Sequence, residues 1–438
     1  MKTLAAVLLF AGLCAAESPG FFGMHVNNKR DFSVWPEFQF DSLRLHDAGV
    51  SWREIETSPG TYDWSIFDQQ LRRAKAHNVD VLYDFVRVPE FYTNKPNSQC
   101  SQEFNRGNCD SERCAKYGGR NRNGCFPPND LNRDGSGSNS HFKNFVNAVV
   151  NHVSSLDPSR FAEVPTWEIW NEVDRETFWQ GTNEQLLRMS KDARAIIKAK
   201  LPSAIVTTPN TTVPRPLRAY LELAGASEAA DAVSLHSYSP RCDPEDDLPN
   251  KLKFMNRVRD TFMRGKPIYI TEASWGKQEN CPDLDQQAAF TARYLLLMRS
   301  GIDGEAGVDR LWWYGYDVET GRLSDPDTGS LRPAGKAYRE VHNWMTAATL
   351  EPRSCKRDSG SRWTCSFKGP NGYQALAVWD EDASRECAAG KCAATMWAAP
   401  SKFKRYRDLE GHVATVDGPL PISAKPILVE TSAPLSER

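Results

Sequence analysis

Residues 166–174 read TWEIWNEVD, a short aromatic and apolar run that ends in an amide and a carboxylate. Trp167 and Ile169 suit one face of a half-buried strand, but Asn171 and Glu172 are polar groups that must find partners or face a cavity. Seven further runs share this character. FFGMHV, SLRLHDAG and DVLYDFV precede it, and AIVTTPN, AVSLHSYS, PIYITEASW and RLWWYGYD follow. Between them lie SIFDQQLRRAKAHN, HFKNFVNAVVNHV, EQLLRMSKDARAIIKAK, LRAYLELAGA, KLKFMNRVRDTF and DQQAAFTARYLLLMRS, with apolar residues at helical three- and four-residue spacings.

Strands alternating with helices imply a parallel sheet, and eight of them over roughly 320 residues predict an α/β fold of the (β/α)8 TIM-barrel kind. An open doubly wound sheet would carry a glycine-rich phosphate turn after its first strand, which FFGMHVNNKR lacks. After GKAYREVHNWMTAAT the pattern changes to short β-like pieces such as RWTCSFKG, GYQALAVWDE and KPILVET, which read as a C-terminal β-sandwich packed on the barrel. The segment from about 92 to 140 holds four cysteines and no sustained period, so it is expected as an insertion over the barrel mouth or a stapled decoration. The expected organisation is a signal peptide at 1–16, a barrel over 17–347 and a sandwich over 348–438.

The start, MKTLAAVLLFAGLCAAES, has the layout of a secretory signal cleaved near Ala16, and no later apolar run has the length to span a bilayer. The chain is expected to be secreted, extracellular and monomeric, without a membrane partner. Its formal charge is 54 − 56 = −2, with basic residues scattered rather than striped, so no nucleic-acid partner is expected. Of 11 cysteines, Cys14 leaves with the signal. The others form an even set in an oxidising compartment, and their wide intervals suit disulfides better than a metal site. Cys355 with Cys365 and Cys387 with Cys392 are the expected local pairs. Asn210-Thr211-Thr212 is a glycosylation sequon.

Barrel strands present their C-terminal ends to the mouth. Glu172 closes the fourth strand and Glu272 the seventh, so the two face each other, as glycoside hydrolysis requires of its paired carboxylates. Glu172 lies among Trp167, Trp170 and Trp179, a poorly solvated setting that would raise its pKa and keep it a general acid. Glu272 has Tyr269, Thr271 and Ser274 around it, which would hold it ionised as a nucleophile. His236 and Tyr238 share one side of the sixth strand and can donate to the nucleophile or to a sugar hydroxyl; a satisfied core histidine is the alternative. Arg44 and Asp47 end the second strand, where Arg44 either steadies the nucleophile or pairs structurally with Asp47. Trp312 and Trp313 point to opposite faces, so one of them floors the mouth. Trp52 and Trp275 are candidate stacking surfaces. No cofactor and no metal is expected.

WNE closing strand four and TEASWG closing strand seven resemble the acid/base and nucleophile segments of clan A glycoside hydrolases. LRLHDAGVSWREIETSPGTYDWSIFDQQLRRAKAHNVDVLYDF and the sandwich ending in KPILVE resemble glycoside hydrolase family 39 in its broad sense, particularly secreted microbial endoglycosidases that cut extracellular polysaccharide. The resemblance implies that Asn171 holds the sugar 2-hydroxyl, that His236 and Tyr238 line the same subsite, and that Trp313 is its platform. It implies a retaining enzyme acting on a polysaccharide or oligosaccharide. The insertion from Cys100 to Cys125 departs from the family pattern. An exo-acting β-xylosidase-like or arabinofuranosidase-like enzyme is the alternative within this chemistry, and a non-catalytic carbohydrate-binding barrel the alternative outside it.

Overall fold

The computed structural model describes residues 20–27, 32, 34–95, 100, 124–383 and 394–431. The expected signal peptide, Cys109, Cys114 and the expected Cys387–Cys392 pair lie outside the described residues. Eight parallel strands form one sheet: β1 (Phe22–Met24), β2 (Ser42–Leu45), β3 (Asp80–Phe85), β4 (Thr166–Ile169), β5 (Ile205–Val206), β6 (Val233–Tyr238), β7 (Ile268–Ser274) and β8 (Arg310–Trp313). Their order is β5-β4-β3-β2-β1-β8-β7-β6. A parallel bridge between Thr207 and Ala232 joins the two ends and closes the barrel.

Among the described residues, seven helices longer than one turn pack outside: α1 (Ser65–Ala76), α2 (Ser140–Ser155), α3 (Asn183–Lys200), α4 (Pro214–Leu221), α5 (Leu248–Phe262), α6 (Leu284–Ser300) and α7 (Pro333–Ala347). Strand alternation sorts the side chains. In β3, Tyr83 and Phe85 turn outward onto Phe67 of α1 and Phe142 and Phe145 of α2. Leu82 turns inward and meets Ala232, Tyr269 and Trp312 in a small apolar cluster. That cluster closes the barrel below the mouth, so polar residues above it have no exit except the C-terminal face.

After α7 comes an antiparallel sheet in the order Thr349–Leu350, Arg362–Lys368, Gln374–Asp380, Ile427–Glu430, Arg405–Arg407, Val413–Thr415. Ala375, Ala377 and Trp379 join the barrel's hydrophobic core. On the opposite face Val378 packs with Trp397, Leu420 and Ile422 of a two-stranded ribbon, which makes the second layer of the sandwich. Three disulfides are present among the described residues: Cys100–Cys125, Cys242–Cys281 and the expected Cys355–Cys365. The second ties the loop after β6 to the loop after β7.

Candidate active site

Simple alternation places Tyr269 and Thr271 of β7 inside the barrel, where Tyr269 joins the apolar cluster and Thr271 Oγ1 lies 3.0 Å from Ser234 Oγ. Glu272 should then point outward. The register resolves this: Leu235 of β6 pairs with Ile270 but His236 pairs with Glu272, and on the other side Leu311 pairs with Ile270 but Trp313 with Ala273. Both neighbours skip a residue, so β7 carries a bulge between Ile270 and Ala273. Bulges re-aim side chains beside functional sites, and this one turns Glu272 inward.

Glu272 arrives beside Arg44, which is fully buried on β2. Arg44 donates through Nη1 to Glu272 Oε1 at 2.7 Å, through Nε to Glu168 Oε2 at 2.7 Å, and through Nη2 to Asn171 Oδ1 at 2.7 Å and Asp84 Oδ2 at 3.5 Å. Burial alone would lower the guanidinium pKa, but Glu168, Asp84 and Glu272 reverse that and raise it. The Tyr238 hydroxyl donates to the other oxygen of Glu272 at 2.5 Å. Burial, with the Glu168 and Glu272 charges added, pushes the Asp84 carboxyl well up; it lies beneath the site, 2.6 Å from His46 Nδ1. Burial also raises the Glu168 carboxyl, but Arg44, His236 and hydrogen bonds from Ser234 and Asn210 bring it below its ordinary value.

Glu172 lies three residues beyond β4, on a backbone held in an unusual shape. Trp170 has φ 77° and Glu172 φ 38°, a region that costs side-chain-bearing residues about 1–3 kcal/mol each and persists only when neighbours enforce it. Asn210 is the enforcer. Its Oδ1 accepts the Glu172 N–H at 2.7 Å, its carbonyl accepts the Val173 N–H at 3.1 Å, and its own N–H reaches the Trp170 carbonyl at 3.2 Å. Asn210 is completely buried. The sequon therefore serves the interior, and this structure gives a glycan no access to it.

His236 Nδ1 lies 2.9 Å from Glu172 Oε1 and 3.4 Å from Glu272 Oε2. One donor atom from each of the three residues falls within 4.8 Å of the others, so the titration of the three is shared. Burial raises the Glu172 carboxyl, but the His236 hydrogen bond and the charges of His236, Arg175 and Arg44 outweigh it and its pKa falls. Burial also raises Glu272, and there His236 and Arg44 only partly offset it. For His236, burial is outweighed by Glu272 and Glu172, and its pKa rises. This reverses the electrostatic expectation from the Trp-rich neighbourhood. Trp167 packs on Tyr83 and Phe85 on the helix side of the sheet, Trp170 is buried against Trp179, and Glu172 meets an imidazole instead.

A cavity of about 590 Å³ opens here, lined by His46, Asp47, Asn171, Glu172, Tyr238, Glu272 and Tyr314 and walled by the loops after β6, β7 and β8. No described residue between 92 and 140 lines it. Four sequence expectations need correction. Trp313 is fully buried against Trp275, Phe290, Tyr294 and Tyr338 on the helix side of β8. Trp312 faces inward but lies in the floor cluster, so Tyr314, two residues further, is the aromatic ring of β8's end that reaches the cavity. Trp52 and Trp275 are core residues, Trp52 stacking on Phe145 and donating to Glu56. Asp47 pairs with Arg87, not with Arg44, although it does line the cavity. The sequence reading also passed over Asp84 and Glu168, whose signal is plain in hindsight: a carboxylate in mid-strand among apolar residues needs a buried cation.

Among the described residues, Glu172, His236 and Glu272 are the one trio spaced to ligate a metal ion. Residues 185–338 match the family model for a glycosyl hydrolase catalytic core. That match takes in about a third of the chain. The matched span holds His236, Tyr238 and Glu272 and begins after Glu172. No curated protein sequence matches the chain. Among solved structures, a family 39 glycoside hydrolase from Bacteroides cellulosilyticus WH2 superposes with TM-score 0.65 at 16% identity, covering 94% of this chain and 80% of that one. A monomeric β-xylosidase from Caulobacter crescentus CB15 gives 0.60 at 17% identity over 94% and 96%. A family 30 endoxylanase from Clostridium papyrosolvens C71 gives 0.55 at 12% identity over 95% and 97%. At these identities the three share the barrel-and-sandwich fold.

Proposed function

We propose that the protein is a secreted retaining glycoside hydrolase that cuts within an extracellular polysaccharide, with Glu272 as nucleophile and Glu172 as acid/base. The observation that carries this is the approach of the Glu172 and Glu272 carboxylates within 4.8 Å across one open cavity. That belongs with the roughly 5–5.5 Å spacing of retaining enzymes and leaves no room for the water an inverting enzyme needs between them. Contacts support these roles. Arg44 and Tyr238 hold both oxygens of Glu272, which orients a lone pair and favours the charged form, whereas Glu172 is the more exposed carboxylate, with 15% of its side chain accessible against 6%.

In the first step Glu272 bonds to the anomeric carbon while the glycosidic C–O bond breaks and Glu172 gives its proton to the departing oxygen. In the second, Glu172 takes a proton from water, whose oxygen attacks the same carbon and frees Glu272. The proton on Glu172 is supplied across the 2.9 Å contact: His236 in its protonated form passes it over and becomes neutral. Asn171, fixed by Arg44, is positioned to bind a sugar hydroxyl, and Tyr314 offers a ring at the cavity. Secretion is supported by the signal-like N-terminus and by three disulfides. Endo action is supported by a cavity that stays open beyond the two carboxylates toward Pro240, Lys277 and Asn280.

The experiment is Glu272→Ala with azide. Activity should fall about 10⁴-fold or more, and azide should restore part of it by attacking the anomeric carbon, giving an α-glycosyl azide from a β-glycoside. A β-azide would overturn β-retention with Glu272 as nucleophile. Release of single sugars from chain ends alone would replace endo with exo action.

A further inference from the structure

A second cavity, of about 280 Å³, lies beside the first and is lined by Gln278, Leu284, Glu319, Arg322 and Arg332. The two cavities share walls. Lys277, Glu279 and Asn280 face the catalytic cavity while Gln278 faces the second, and Thr320 faces the first while Glu319 faces the second. One layer of loop on each side therefore separates them, a span that a glycan chain leaving the catalytic cavity can cross.

The second cavity is built rather than incidental. Its Arg322 follows Gly321, whose backbone sits so close to Ser274 that a Cβ there would lie 2.4 Å from the Ser274 side chain, and whose carbonyl accepts the Trp313 indole N–H at 2.7 Å. Gly321 also has φ 68°, which favours glycine. Arg322 is thus locked in register with β7, two residues beyond Glu272. Arg332 is fixed by its N–H to the Leu323 carbonyl at 2.9 Å and caps the start of α7, whose free N–H groups add positive potential. Both side chains are half-buried; among the described residues neither guanidinium makes a hydrogen bond or close ion pair, Arg332 acts on Asp325 only through its charge, and Arg322 Nε is buried without a partner. Arginine is costly to leave in that state, and its fork suits planar or tetrahedral oxyanions.

We propose that this second cavity is a subsite for an anionic substituent of the glycan, a carboxylate or a sulfate ester, gripped by Arg322 and Arg332, so that the substrate is an acidic polysaccharide. The proposal rests on the glycosidase reading of the neighbouring cavity and names its substrate class.

Binding tests it without requiring turnover. Calorimetric titration of the full chain with size-matched uronate-containing, sulfated and neutral oligosaccharides should show one acidic series bound about ten-fold more tightly or better than the neutral one, and which series wins tells carboxylate from sulfate. Arg322→Gln with Arg332→Gln should erase that preference and leave neutral binding unchanged. Lys253→Gln with Arg257→Gln, the same charge removed from the exposed face of α5, should preserve it. No preference for either acid in the parent protein, or a preference that survives in the Arg322/Arg332 double variant, overturns the subsite. Reducing-end release measured in parallel separates the two readings: cleavage of neutral glycans without acid preference sinks the subsite alone, and acid preference without cleavage of any glycan sinks the glycosidase reading alone.

Discussion

Arg44 and Arg293 are both fully buried in the barrel, and each gathers carboxylates and carbonyls around its guanidinium. Arg293, on α6, donates to Glu245 Oε2 at 3.0 Å, to the Cys242 carbonyl at 2.9 Å and to the Ala289 carbonyl at 3.2 Å. The other oxygen of Glu245 takes the indole N–H of Trp379, from the sandwich sheet, at 2.8 Å. Asp243 Oδ1, partly exposed, lies 3.5 Å from the same guanidinium, and none of these acceptors lines the catalytic cavity. Around Arg44 the arrangement is similar in kind, yet two acceptors, Asn171 and the carboxylate of Glu272, keep an edge on the cavity. A buried cation becomes part of a reaction when one of its carboxylates is left open to a ligand, and becomes a strut when none is. Arg293 braces the wall of the cavity, since Cys242 also carries the disulfide to Cys281, and it connects that wall to the sandwich.

The comparison breaks or sharpens in a definite order. Arg44→Met should lower kcat about 10²–10³-fold by removing the charge that orients Glu272, and should also cost about 3–5 kcal/mol of stability by leaving Glu168 without its cation. Denaturant melts and steady-state rates measure both; activity within three-fold of the parent would remove Arg44 from the site. Arg293→Met should cost a similar 3–5 kcal/mol in the same melts but change kcat less than ten-fold, with the larger effect on KM as the β6–β7 wall loosens. A kcat loss equal to that of Arg44→Met would erase the distinction between strut and site.

Smaller effects concern the shared proton. In the proposed mechanism Glu272 is ionised when it attacks, and its pKa is raised, so the acid limb of kcat/KM should lie above the usual glutamate range. The alkaline limb reports loss of the proton that His236 and Glu172 share, and since the His236 pKa is raised, it should lie above that of an ordinary histidine. His236→Asn should shift the alkaline limb to lower pH, because Glu172 must then hold the proton alone. An unmoved limb would show that His236 never carries it. The smallest expected effect is none: prolonged EDTA treatment should leave the rate unchanged, and a loss restored by a divalent cation would reassign Glu172, His236 and Glu272 as ligands.

The eight strands were legible because each is a short apolar run between periodic helices, and the two glutamates because they stand where such strands end. Three things were not. The bulge that turns Glu272 inward is a property of pairing on both sides of β7, and no single-strand pattern carries it. The choice between Trp312, Trp313 and Tyr314 depends on how deep each residue sits, and alternation gives direction without depth. Glu172's environment was misread because adjacent tryptophans in a strand mostly face away from their polar neighbour, while the partner that matters, His236, comes from 64 positions further along the chain.

The joint between β5 and β6 has a consequence for how this barrel gives way. β5 is two residues long, and it meets β6 through one bridge, through backbone N–H groups of Asp231, Thr208 and His236 that donate across the joint, and through side chains, with Asp231 accepting the Val206 N–H and Thr208 accepting the Ser234 N–H. Arg194 and Lys198 hold that aspartate from α3. A closed ring opens at its least stitched joint, so amide exchange should run ahead of the other barrel strands between residues 205 and 211. Asn210 lies inside that stretch, and when the joint parts, the latch on the Glu172 backbone is released while the Arg44 cluster still stands.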